Sequence, residues 1–172
     1  MKNITKVLAI AVIALGLSNS SFAQATATAA ASATIITPIT IVKNVDMNFG
    51  NVAVSATLAG SVILAPASTR SVGGTGVTLP ATTGTVAAAS FTVSGQGSYT
   101  YAITLPSSCT ITDAGSHTML VNAFTSNPSG TGALSAGGSQ TLTVGATLNV
   151  SAAQAAGVYT NATGVPVTVN YN

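Results

Sequence analysis

Beyond residue 23, the apolar positions of this chain recur at every second residue in short runs, closed by Gly, Pro, Ser and Asn, with no convincing helical period. Such a pattern builds strands. Only the Ala-rich pieces 25–33 and 152–156 are ambiguous. The alternation predicts strands over 34–43, 45–49, 60–65, 76–79, 88–94, 98–105, 117–124, 141–150 and 157–171, the last broken near Asn161 to Gly164. Pro38 marks an edge or a bulge in the first. Turn signals at Ala65-Pro66, Gly73 to Gly76, Gly95 to Gly97, Asp113 to Gly115, Asn127 to Gly130 and Gly137-Gly138 separate the runs. The expected fold is all-β: an antiparallel, immunoglobulin-like β-sandwich of about 8–9 short strands. No fixed-period repeat supports a propeller or solenoid. Phe49, Phe91 and Phe124 each fall within a predicted strand and read as core anchors.

The N-terminus follows a different logic. Lys2 and Lys6 precede the apolar run Val7 to Leu17, then polar residues and Ser21-Phe22-Ala23, which is the layout of a cleaved secretory signal peptide over 1–23. The run is too short to span a bilayer as a helix, which needs about 20 residues. Export to the periplasm, cell surface or extracellular space is the expectation, with no transmembrane segment in the mature chain. Cleavage removes two of the four basic residues and leaves Lys43, Arg70, Asp46 and Asp113, a net charge of zero. A domain of about 150 residues ordinarily carries some 35 to 40 charges. Nucleic acid is therefore excluded as a partner, because phosphate neutralisation needs several Lys or Arg. Low net charge also removes the repulsion that keeps copies apart, so self-association is easy to reach. Cys109 has no intrachain partner, and burial or a bridge between chains are its two options.

Two segments suit pairing between copies. The alternation Val165, Val167, Val169, Tyr171 places a strand at the C-terminus, with Pro166, Thr168, Asn170 and Asn172 opposite. Residues 24–33 form an Ala/Thr-rich extension free of charge and proline, followed by Ile35 and Ile36. Ile35, Ile36, Val165, Val167, Val169 and Tyr171 are accordingly the expected subunit-contact positions, and the domain proper is expected over 34–172.

Several blocks carry a family likeness: Asn48-Phe49-Gly50, Arg70 to Leu79, Phe91 to Gly95, Tyr101 to Pro106, Val144 to Val150, Gln154 to Tyr159 and Val167 to Tyr171. Together they resemble the bacterial family catalogued as domain of unknown function 4402, which carries no established catalytic residues to transfer. More distantly, the early Phe-Gly and the closing Gly-x-Tyr, followed by an alternating strand ending near Tyr171, are similar to chaperone-usher and spore-coat-U type pilins. That likeness implies an incomplete immunoglobulin-like fold, completed by a periplasmic chaperone and then by the N-terminal extension of the next subunit. Residues 24–36 lie where such a donor strand would. The usual pilin disulfide cannot form with Cys109 alone, and 24–36 lacks the central glycine often found in donor strands.

Catalytic and metal readings weigh less than structural ones. Cys109, Asp113 and His117 recur every four residues, in the order of nucleophile, orienting group and base. Asp113 to Ser116 reads as a turn instead, which puts Cys109 and His117 on different strands of a hairpin, where they could come within reach of each other. A zinc site would need Cys109, His117, Asp46 and Asp113 to converge, and no acidic loop suits calcium. No catalytic, cofactor or metal residues are assigned. Gly73 to Gly76 lacks the Lys-Ser/Thr and the helix of a phosphate loop. Arg70 beside it is expected either to pin the loop through carbonyl contacts or to pair with Asp46 or Asp113, ahead of a ligand role. Tyr99 and Tyr101, two residues apart on one strand, are the candidates for a glycan-stacking platform, against a plain packing role. Asn149-Val150-Ser151 and Asn161-Ala162-Thr163 match the glycosylation pattern by composition alone.

The expected function is a secreted bacterial surface protein, a pilin-like structural subunit of a filament, coat or adhesive layer that associates with itself or related surface subunits. The alternative is a monomeric adhesin or glycan-binding module. An enzyme is not expected.

Overall fold

A computed structural model describes residues 24–172. The signal-peptide expectation for 1–23 lies outside them. Residues 24–35 form a unit of their own, exposed throughout and without strand or helix. The body, Ile36–Asn172, is all-β.

Fourteen strands make it up: β1 (Thr40–Val45), β2 (Asn48–Phe49), β3 (Ala53–Val54), β4 (Gly60–Leu64), β5 (Arg70–Gly73), β6 (Val77–Thr78), β7 (Val86–Ala87), β8 (Ala89–Ser94), β9 (Thr100–Thr104), β10 (Ser108–Thr112), β11 (Thr118–Asn127), β12 (Thr131–Ala133), β13 (Ser139–Val150) and β14 (Thr168–Tyr171). All pair antiparallel. The count exceeds the expected 8–9 because β3, β5, β7, β10 and β12, each of five residues or fewer, lie between the expected runs.

The organising element is β13. Leu142, Val144, Ala146, Leu148 and Val150 all lie on its buried face, so one strand carries the spine of the core. One edge of β13 pairs with β11, and the other is shared: Ser139 to Val144 with β8, Ala146 to Val150 with β4. Gly145 stands at the fork. A Cβ there would run into the Leu64 carbonyl oxygen, so glycine lets the chain leave β4 across β13. With β1 beyond β8, β5 beyond β4 and β10 beyond β11, this sheet has seven strands. In β11 one extra residue separates the Asn122 and Thr125 pairings, with Ala123 at φ 47°. That bulge brings Val121 and Phe124 to the same inner side.

Against this sheet lies a second of only three strands, β12-β9-β14. It covers one end of the inner face, where Tyr101, Leu134 and Val169 pack on Phe91, Val93, Leu142 and Val144. The other end centres on Val62, Leu64, Val121, Leu148 and Val150 and is covered by Phe49 and Val77, from the small ribbons β2-β7 and β3-β6. Met47 and Phe124 touch both clusters. The three phenylalanines thus pack in the core as expected.

Candidate functional site

Seven strands facing three leave part of the inner face without a full second layer. An open groove of about 1500 Å³ lies there. Its floor comes from inward residues of the large sheet: Cys109 and Ile111 on β10, Met119 and Val121 on β11, Leu148 and Val150 on β13. Ile41, Lys43 and Val45 of β1, the segment Met47 to Val54, and residues 154–165 with Val167 also line it. The site is apolar in its floor and nearly chargeless in its rim.

Several strand edges are unpaired among the described residues, and they differ. Proline precedes β1 at Pro38, and β1 carries a bulge between Lys43 and Val45, with Lys43 exposed and bonded to Asp46 at 2.6 Å. Bulges, Lys and Pro are the features that discourage edge pairing. The outer edge of β10 meets the 151–167 connection in a single bridge, Thr112 to Thr160. The outer edge of β14 has no backbone partner among the described residues, although β1 passes close to that strand, and Val165 and Val167, just upstream of it, line the groove. A free strand edge beside an apolar groove is suited to receive an extended segment.

Arg70 shapes the rim. Its Nη1 donates to the Phe49 and Asn51 carbonyls, each at 2.7 Å, while Nη2 is buried without a partner. The expected loop-anchor role is the one it plays, though on the 49–51 turn rather than on Gly73 to Gly76. Gly50, at φ 69°, leaves the space that Arg70 and the Thr83 carbonyl occupy.

Of the expected subunit-contact residues, Ile35 is 93% exposed and Ile36 half-buried. Val165 and Val167 are half-buried at the groove, while Val169 and the half-buried Tyr171 pack into their own domain's core. What β14 leaves open is its backbone edge rather than those side chains.

The tyrosine platform is a correction. Tyr101 is fully buried, with its hydroxyl donating to Gln140 Oε1 at 2.8 Å, and burial pushes its phenol pKa up. Tyr99 stands outside β9, 44% exposed, with its ring edge-on to Tyr171 at 5.8 Å and 67°. Only one of the pair faces solvent, because β9 turns Tyr101 into the sandwich. Tyr99 and Tyr101 therefore form no stacking surface together.

Cys109, Asp113 and His117 do form a hairpin segment, but the register separates them. Cys109 pairs with Val121, and the turn begins three residues later at Thr112 opposite Thr118, about 10 Å along the strand. Asp113 instead accepts from the His117 backbone N–H at 2.7 Å and bonds its ring Nδ1 at 2.9 Å. Its carboxylate lies against Gly157 of the following connection. Among the described residues, no three His, Cys, Asp or Glu side chains gather as a metal site. Likewise, no helix among them is long and apolar enough to cross a membrane.

Residues 39–171 match a family model described as a domain of unknown function, DUF4402. The chain belongs to this family. No curated protein and no solved structure matches it. The groove in this DUF4402 domain was not anticipated, although half its floor was legible. Cys109/Ile111 and Met119/Val121 alternate on either side of the Asp113 turn, and that pattern marks two inward strand faces.

Proposed function

We propose that this chain is an exported bacterial structural subunit, pilin-like in its manner of assembly, that builds a filament, coat or adhesive layer by strand addition between copies. The observation that carries the reading is the open apolar groove beside the unpaired edge of β14. Residues 24–36 supply an occupant of the right kind. Their odd positions are Ala25, Ala27, Ala29, Ala31, Ala33 and Ile35, while the even ones are Gln24, Thr26, Thr28, Ala30, Ser32, Thr34 and Ile36. That is one small apolar face and one largely hydroxyl face, a strand pattern lacking a sheet of its own. Thirteen residues extended reach about 43 Å, enough to run the length of β13. Before assembly, a periplasmic chaperone would cover the groove. Neutrality of residues 24–172 fits a surface made to pack against copies of itself.

The test is native extraction of the full chain followed by gel electrophoresis without boiling. SDS-resistant ladders are expected, and deletion of 24–36 should abolish them while leaving a folded monomer by circular dichroism. A full-length protein that stays strictly monomeric would sink the reading.

A further inference from the structure

We propose that Tyr171 couples the two ends of the assembly surface, so that filling the groove of one copy orders the root of the same copy's N-terminal segment. This rests on the strand-accepting reading of the groove.

Tyr171 belongs to β14, the edge strand that follows the groove-lining Val165 and Val167, and is paired with Tyr101 of β9. Its hydroxyl donates to the Thr37 carbonyl at 2.7 Å and accepts from the Gln96 backbone N–H at 2.6 Å. Thr37 N–H in turn donates to Gln96 Oε1 at 3.4 Å. The Tyr99 ring supports the Tyr171 ring edge-on. Gly95 belongs to the same arrangement, because a Cβ at that position would collide with the Tyr171 hydroxyl. One phenol thereby joins β14, the β8–β9 turn and Thr37, the point where residues 24–36 enter the body.

The coupling is a matter of linkage. A strand that pairs with the free edge of β14 holds the Tyr171 backbone, and a held backbone favours the closed Thr37–Tyr171–Gln96 arrangement. By reciprocity, a fixed Thr37 favours occupancy of β14 to the same factor. An occupied copy then presents an ordered segment root to the next copy, and growth becomes cooperative. Coupling of this kind is on the order of 10-fold.

The experiment uses the full chain, freshly refolded and dilute, with a labelled synthetic peptide of residues 24–36. Binding is read by fluorescence anisotropy, and the Gln96 amide by hydrogen exchange. In the wild type, the peptide should bind and slow Gln96 exchange on the order of 10-fold. In Tyr171→Phe it should bind without slowing Gln96, and Gly95→Ala, which displaces the hydroxyl from the other side, should behave alike. Equal slowing in both variants, or binding to the wild type with no slowing, overturns the coupling and leaves the strand-accepting reading standing. A peptide that fails to bind the wild type overturns that reading, and the coupling with it.

Discussion

Gly132 and Asp113 show how single residues hold this fold. A Cβ at Gly132 would run into the Tyr101 ring, which is fully buried and hydrogen-bonded to Gln140. The ring cannot retreat without breaking that bond. Gly132→Ala is therefore expected to cost about 1–3 kcal/mol by overpacking, measured as a lower urea midpoint at unchanged slope. Asp113 sets an acid limit. Burial pushes its carboxyl pKa up, but hydrogen bonds from the His117 side chain and backbone, the His117 charge and the Gly115 backbone outweigh it, so the net shift is below the ordinary 3.8. A depressed folded pKa gives stability that is full above the unfolded value and lost as pH falls through the folded one. Thermal unfolding of the wild type should thus exceed that of Asp113→Asn at pH 6, and the difference should close once pH drops well below the ordinary carboxylate range. A difference independent of pH would show that the ion is not the source.

At the scale of elements, β13 decides the topology. Its fork depends on Gly145, where β8 gives way to β4 on the same edge. Gly145→Val is expected to lower stability by about 3 kcal/mol or more, since the obstructing atoms are backbone, the Leu64 carbonyl and the Ala65-Pro66 bond. Exchange protection should fall first in β4 and β5. The alternation that makes β13 central is plain in the sequence, as are β4, β8, β9 and β11. The fork is not, because period two states which face a residue takes and says nothing about which neighbour takes which edge. Extent was the other weak point. Strand was expected from residue 34, yet β1 begins at Thr40, after Pro38. Likewise 157–171 shrank to β14 and the Thr160 bridge, because an Asn161 side-chain turn and Pro166 interrupt the pairing. β3, β5, β7, β10 and β12 lie in stretches too short to show a clear alternation.

Residues 24–172 are nearly without free charge, and that has a measurable consequence for association. Lys43 is bonded to Asp46, Asp113 to His117, and Arg70 is turned onto two backbone carbonyls, so residues 24–172 carry few charges able to steer a partner. Association driven by apolar burial and backbone pairing should ignore screening, which shortens from about 10 Å at 0.1 M salt to about 3 Å at 1 M. Sedimentation velocity is expected to give association constants within about threefold across that range, and sulfate, which strengthens apolar burial, should raise them. Weakening of tenfold or more with sodium chloride would mean that Lys43 and Asp46 at the groove rim act across the contact instead of on each other. The two outcomes separate cleanly because, among the described residues that line the groove, Lys43 and Asp46 are the only Lys, Arg, Asp or Glu. A salt-independent result therefore assigns the binding energy to the groove floor and the β14 edge.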